Sequence, residues 1–232
     1  METNLNKVKE IAKLFLHLPI QYDKVISPLL HVYHPFISSC ALYTGTEFID
    51  IIANPEKLND YIKYMEEQIN DGDLVKIYML VKKAYRLTFI KHCESYLSEK
   101  DLAEYFADAW VSSENPNQDA NCSIHYLTSM FKKCNKKYLM TEKDYKVYES
   151  LPDVFPIYRG VAVGRNPNGL SWTQNQKTAQ WFAHRFDRGS KKGYVQKAIA
   201  KKEDVLAYFN TRGEDEIVYN RKKLQVSILE EE

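Results

Sequence analysis

The chain has 232 residues, of which 44% are hydrophobic and 27% are charged, and its formal net charge at pH 7 is +1. This length allows one large domain or two small ones with a real hydrophobic core, and the composition is that of an ordinary globular protein. The near-neutral charge argues against a bulk attraction to nucleic acid or to an acidic membrane surface.

Several features of the sequence indicate the compartment in which the protein works. The apolar runs are short and broken by charge, so we expect no membrane span. The segment Met1–Lys13 alternates charged and apolar residues and lacks a signal-peptide core, which predicts a cytoplasmic location. The spacing of the cysteines fits neither a zinc ribbon nor a redox motif, so we expect free thiols and no metal site. These cysteines are Cys40, Cys93, Cys122 and Cys134.

Residues 1–150 are predicted to be helical. Over 4–18, apolar residues recur at helical spacing, and Pro19 ends the run. Asn54 followed by Pro55 is typical of an N-cap and a first helical turn. The same signals predict further helices over 74–96, from Ser98 to about Trp110, over 123–134 and over 141–151.

The pattern changes at Leu151–Pro152–Asp153, after which strands predominate. We predict strands over 155–163, 171–173, 193–200, 205–210, 214–219 and 224–229, and one helix over 175–186. A helical region at 1–150 followed by a sheet-rich region at 151–232 is an α+β arrangement.

Three short segments of the second region carry polar residues suited to chemistry: Tyr158–Arg159–Gly160, Ser171–Trp172–Thr173 and Glu214–Asp215–Glu216. Each alone is more often a solvated strand charge, a plain strand or an acidic strand start. Their order is more specific, because a strand arginine is followed by Ser-x-Thr before a helix and then by Glu-x-Glu at the start of an apolar strand.

In this order the segments resemble the arginine–serine–glutamate class of mono-ADP-ribosyltransferases, which includes arginine-modifying bacterial toxins and their phage and vertebrate relatives. The resemblance extends from about Pro156 to Val218. It includes the helix with Trp181–Phe182–Ala183 and the turn Thr211–Arg212–Gly213, which in the family contacts the target protein. It implies two small, mostly antiparallel sheets around an NAD cleft.

The resemblance also implies a reaction. ADP-ribose is transferred from NAD to an acceptor, preferably an arginine on a target protein, and nicotinamide is released. A nucleic-acid acceptor is the less favoured alternative, because lysine pairs such as Lys191–Lys192 are typical of solvated faces. Breaking the glycosidic bond of NAD leaves positive charge on the ribose, as in glycoside hydrolysis.

By the same resemblance, Glu216 stabilises that charge through the ribose 2′-hydroxyl. Glu214 is expected on the same face of the strand, with Asp215 pointing away, and would orient the incoming guanidinium. Ser171 would hydrogen-bond the catalytic glutamate or the nicotinamide ribose, and Thr173 would hold the strand beneath the site.

The NAD-binding residues are implied in the same way. Arg159 would bind the pyrophosphate or a nearby ribose. Gly160 would allow close approach of the backbone to NAD. Tyr158 and Phe182 are available to stack on nicotinamide or adenine, although a core position is as good an interpretation of each. Trp172 replaces a residue that is often small in the family, and strand alternation should point it away from its two neighbours.

Two alternatives remain open at this stage. An NAD glycohydrolase would use water in place of the acceptor, and a non-catalytic interaction or virion protein would retain only the fold. No motif in residues 1–150 suggests chemistry, so we expect this region to pack against the catalytic core or to recognise the acceptor.

Overall fold

The computed structural model describes residues 1–22, 32–39, 41–43, 47–51, 53–116 and 120–229. The chain divides into two compact units, Met1–Ser98 and Glu99–Glu232. The sequence had suggested a division after Ser150, so the helices from Glu99 onward belong to the same unit as the sheet. None of the described helices is long and apolar enough to cross a membrane.

The first unit contains helices and two short strand pairs. Its helices are α1 (Leu5–Leu16), α2 (Pro55–Asn70), α3 (Leu74–Leu80) and α4 (Arg86–Cys93). Its antiparallel pairs are β1 (Gln21–Tyr22) with β2 (Val32–Tyr33) and β3 (Ala41–Tyr43) with β4 (Phe48–Asp50). The first unit thus adds two strand pairs to the predicted helices, between α1 and α2, where the sequence analysis had assigned no element.

The predicted helix over 74–96 is broken. Val81 is extended, with ψ of 126°, and ends α3. The amide of the next residue, Lys82, donates to Pro35 O at 2.9 Å, and its Nζ donates to Ile37 O at 2.7 Å. These tertiary hydrogen bonds replace the helical ones, which the apolar pattern of the segment could not reveal.

The second unit begins with four helices. They are α5 (Glu99–Ser112), α6 (Ile124–Lys133), α7 (Lys136–Leu139) and α8 (Glu142–Ser150). Ser123 caps α6 through a hydrogen bond from Tyr126 N, and Thr141 caps α8 through one from Asp144 N. The predicted starts of these two helices are thereby confirmed.

The rest of the unit is one antiparallel sheet with a helix on it. The strands are β5 (Val154–Val161), β6 (Ser171–Thr173), β7 (Tyr194–Lys201), β8 (Val205–Phe209), β9 (Glu216–Tyr219) and β10 (Val226–Leu229), and the helix is α9 (Gln176–His184). The strand order is β10-β7-β5-β6-β9-β8. The predicted α+β class is confirmed.

The sheet consists of two three-stranded halves that meet at a narrow junction. Strands β5 and β6 are paired only through Tyr158 and Thr173. In contrast, β5 is paired with β7 over eight residues. The expectation of two small sheets was thus incorrect in one respect, because the two halves are hydrogen-bonded into a single sheet.

Candidate functional site

A cleft in the second unit is bordered by α5 and the loop after it, β5, β6, α9 and the turn before β9. All of the site residues predicted from the sequence line it: Glu216, Glu214, Ser171, Arg159, Gly160, Tyr158, Thr173 and Phe182. Residues up to 58 positions apart in the chain, from Tyr158 to Glu216, therefore converge on one surface.

The carboxylate of Glu216, the first residue of β9, is held by two side chains. Trp110 Nε1 of α5 donates to Glu216 Oε1 at 3.1 Å, and Ser171 forms a second side-chain hydrogen bond to the same carboxylate. Burial raises the pKa of Glu216 above its ordinary value, and the two hydrogen bonds oppose this increase. Nearby Glu214 raises the pKa further.

The register of the sheet explains why these side chains meet. Thr173 of β6 lies opposite Glu216, and Ser171 lies opposite Val218, two residues further along β9. Side chains two apart on a strand share a face, so Ser171 and Thr173 lie on the same face of the sheet as Glu216. Thr173 Oγ1 also donates to Glu214 O at 3.1 Å, which ties the turn before β9 to β6.

Glu214 reaches the cleft by a different geometry from the predicted one. Strand β9 begins at Glu216, and Asp215 adopts a left-handed conformation with φ of 48°, so Glu214 belongs to the turn. The argument from strand alternation was therefore wrong. Asp215 is directed elsewhere, because its carboxylate accepts a hydrogen bond from Tyr208 OH at 2.7 Å.

An arginine of the same turn is paired with Glu214. Arg212 Nε and Nη2 each lie 3.1 Å from Glu214 Oε1, and its Nη1 donates to Val111 O at 3.0 Å. The side chain of Arg212 is 43% exposed and that of Glu214 is 29% exposed. A guanidinium of the chain itself therefore occupies one oxygen, Oε1, of the carboxylate at which an acceptor guanidinium is expected.

Arg159 is bound to the main chain at both ends of its fork. Its Nη1 donates to Ser171 O at 2.7 Å and its Nη2 to Asn166 O at 2.9 Å. Burial lowers the pKa of the guanidinium to about 10, and the nearby Glu216 opposes this decrease. In this geometry Arg159 ties the loop before β6 to β6 itself, and the expected pyrophosphate contact stays a prediction.

Two glycines make room for these contacts. A Cβ atom on Gly169 would lie 2.2 Å from Arg159 Nη2, so only glycine lets the guanidinium pack there. A Cβ atom on Gly160 would lie 2.1 Å from Ala179 O of α9. The absent side chain of Gly160 thus allows the helix to pack on β5, whereas the sequence analysis had assigned it to close approach of NAD.

A second group of charges lies at the cleft, and sequence reasoning missed it. Arg185 Nη2 lies 2.7 Å from Glu114 Oε1, and Arg165 Nη2 lies 3.9 Å from the same oxygen. Arg185 also lies over the ring of Phe182, 5.0 Å from its centroid. Glu114 is 65% exposed whereas Arg185 is 19% exposed. No spacing links Glu114 to the arginines, so no sequence signal could have found this group.

The described residues contain no candidate metal site. In the part of the chain that the structure describes, no group of three His, Cys, Asp or Glu side chains could hold a metal ion. Cys93, Cys122 and Cys134 are buried and not disulfide-bonded, and Cys40 lies outside the described residues.

The comparisons with known proteins add no family assignment. No protein-family model matches the chain, and neither a curated protein nor a solved structure matches it at a significant level. A functional interpretation therefore depends on the residues of the cleft and on the resemblance of their motifs.

Proposed function

We propose that the protein is an NAD-dependent mono-ADP-ribosyltransferase that modifies arginine on a target protein and releases nicotinamide. The observation that carries the proposal is the arrangement around Glu216. The half-buried Glu216 carboxylate is held by Ser171 of the Ser-x-Thr strand, lies beside Glu214 and faces a cleft that also contains Arg159. The three separated motifs of the resemblance are thus neighbours in space.

The first step of the reaction is cleavage of the bond between nicotinamide N1 and ribose C1′. Both bonding electrons leave with nicotinamide, and positive charge develops on C1′ and the ring oxygen. The Glu216 carboxylate accepts a hydrogen bond from the ribose 2′-hydroxyl and stabilises this charge, most strongly in the transition state. Burial strengthens the interaction, because less water competes for the carboxylate.

The NAD molecule needs a site for its negatively charged pyrophosphate. Arg165 and Arg185 border the cleft and both face Glu114, which is the anion nearest to them in the described structure. Both arginines now share a single oxygen of Glu114. A pyrophosphate bound in its place would offer them several phosphate oxygens, which suit forked guanidinium donors. Phe182 and Tyr158 offer ring faces or edges for the bases.

In the second step a guanidinium nitrogen of the acceptor forms the new bond to C1′ and loses one proton. Glu214 is the group next to Glu216 that can align a guanidinium and accept this proton. A planar, forked guanidinium fits a carboxylate well, and Arg212 already makes such a contact with Glu214.

The same Arg212–Glu214 ion pair favours NAD hydrolysis as the second candidate function. A protein arginine must compete with Arg212 for Glu214, whereas a water molecule can attack C1′ while the pair persists. We therefore expect slow hydrolysis in the absence of an acceptor.

The direct test is an assay of the purified full-length protein with NAD labelled in the adenylate moiety. Nicotinamide release measures cleavage, and label on polyarginine or on lysate protein measures transfer; polylysine is the matched control acceptor. We expect label on polyarginine but not on polylysine. Nicotinamide release without label on any acceptor would make the protein a glycohydrolase, and no release under any condition would refute both functions.

A further inference from the structure

Trp110 makes a contact that none of the three motifs accounts for. It lies in α5, outside the segment of resemblance, and its indole N–H donates to Glu216 across 106 residues of sequence. We propose that Trp110 is a positioning residue that holds the Glu216 carboxylate in its working orientation. This inference rests on the proposed NAD cleavage, because it assigns to Trp110 a part in that reaction.

The surroundings of Trp110 hold the indole in one place. Its side chain is 1% exposed, and its ring meets the Phe131 ring edge to face, with 4.9 Å between the centroids. Phe131 is itself packed edge to face against Phe106 of α5, at 4.8 Å. A donor supported by fully buried aromatic rings has few alternative rotamers, so its N–H points to a fixed place.

Such a donor does two things for Glu216. It binds Oε1, so together with Ser171 it fixes the rotation of the carboxylate and decides which oxygen lone pairs remain for a ribose hydroxyl. It also favours the charged form, because a hydrogen bond donated to a carboxylate lowers its pKa and opposes the effect of burial.

A role in packing alone would predict different behaviour. The indole N–H could be replaced by carbon with little effect if Trp110 only filled space. A buried acceptor that loses its donor, in contrast, loses both orientation and charge stabilisation. The two possibilities are therefore separated by changes that remove the N–H and keep the ring volume.

The chain contains a suitable control. Trp172 is also buried, at 2% exposure, and lies between Ser171 and Thr173 on the opposite face of β6. Its Nε1 has no hydrogen-bond partner among the residues that the structure describes. Trp172→Phe therefore removes an indole N–H near the site without removing a hydrogen bond.

The experiment compares Trp110→Phe and Trp172→Phe in the full-length protein. We expect Trp110→Phe to lower kcat for nicotinamide release about tenfold, with KM for NAD changed less than twofold, since in this proposal the indole acts on the orientation and charge of Glu216. The acidic limb of the kcat profile should move to higher pH by about one unit, because the pKa of Glu216 rises when the donor is lost. Trp172→Phe should leave the position of this limb unchanged.

A second substitution covers the possibility that Trp110→Phe fails to fold. Site-specific replacement of Trp110 by benzothienylalanine retains the bicyclic shape and removes only the N–H, and it should reproduce the same shift. An unshifted pH profile in this folded protein would overturn the proposal, as would an equal shift in Trp172→Phe.

A readout that does not depend on catalysis separates this inference from the proposed function. The titration of the Glu216 carboxyl is followed by carbon NMR of glutamate-labelled protein, with Glu216→Gln used for assignment. One outcome is that loss of the Trp110 N–H raises the midpoint of the Glu216 titration in a protein that never cleaves NAD. That result would refute the proposed transferase, and with it the catalytic purpose of the contact. An unchanged midpoint together with normal cleavage would refute only the inference.

Discussion

The two acidic positions of the cleft differ in how they are held, although they are two residues apart in sequence. Glu216 starts a strand, and donors on two other elements, α5 and β6, fix its carboxylate. Glu214 lies in a turn, and its carboxylate is paired with its own turn neighbour, Arg212. This contrast fits the proposed division of labour, because a group that stabilises a transition state must be preorganised. A group that receives a variable partner must be able to release what it holds.

The largest effects are expected when each carboxylate is neutralised in turn, which tests whether the two glutamates have different roles. Glu216→Gln should lower both NAD hydrolysis and transfer by a factor on the order of 10²–10³, which is typical for loss of a transition-state stabiliser. Glu214→Gln should retain most of the hydrolysis and lose transfer to arginine. Both activities are measured in parallel, as free nicotinamide and as label on polyarginine. If the two variants lose both activities to the same extent, the division of labour is refuted.

The next effect concerns the loop that Arg159 holds against β6. Arg159→Ala should weaken NAD binding by at least about tenfold, because a charged group that donates two hydrogen bonds is worth roughly 1.5–3 kcal/mol. Gly169→Ala keeps the charge but forces the guanidinium away, so it should weaken binding in the same direction. Titration calorimetry measures both dissociation constants. Unchanged binding in both folded variants would remove Arg159 from the NAD site.

A smaller effect is expected at Arg212, and it tests whether this residue competes with the acceptor for Glu214. Arg212→Ala should lower KM for a small guanidine acceptor such as agmatine about twofold to fivefold. The basis is that an exposed ion pair is worth about 0.2–1 kcal/mol. The KM of Arg212→Lys, which retains a cation, should lie between the KM of Arg212→Ala and that of the unmodified protein. A higher KM in Arg212→Ala would mean that Arg212 helps to bind the acceptor.

The smallest effect links the two carboxylates through pH. The negative charge of Glu214 raises the pKa of Glu216, and the positive charge of Arg212 lowers it. Cleavage needs ionised Glu216 and is lost as the pH falls through its pKa. The acidic limb should therefore move to lower pH in Glu214→Gln and to higher pH in Arg212→Ala. The measurement is kcat for NAD hydrolysis against pH, and shifts in the same direction would contradict this electrostatic coupling.

The sequence predicted the parts of the site that local rules control. Ser-x-Thr on a strand and Glu-x-Glu before one can be recognised because strand residues alternate and because turn and cap residues mark the ends of elements. The strand β6 has the predicted bounds, and the eight predicted residues share one cleft. Trp110 could not be assigned, because a tryptophan on the apolar face of a helix looks the same whether or not its N–H has an acceptor.

The structure differs from the sequence prediction where a distant contact or a backbone conformation leaves no local signal. The helix predicted over 74–96 breaks where Lys82 bonds to the main chain of Pro35 and Ile37. Glu214 was placed on a strand because Asp215 gave no sign of its left-handed conformation. The sequence also carried no sign that main-chain carbonyl groups would bind both ends of the Arg159 fork. The Ile37 partner of Lys82, for example, lies 45 residues away in sequence, outside the local window in which sequence patterns can be detected.

The contact from Trp110 to Glu216 also has a consequence for the order of events in folding. Its two ends are 106 residues apart, whereas the helix α5 that carries the indole needs only neighbouring residues. Closing so long a loop carries an entropic cost that is recovered only when the rings around Trp110 and the strand β9 come together. The carboxylate can therefore be oriented only once α5 and β9 have come together, and a chain that has formed only its helices does not yet contain the Trp110–Glu216 contact.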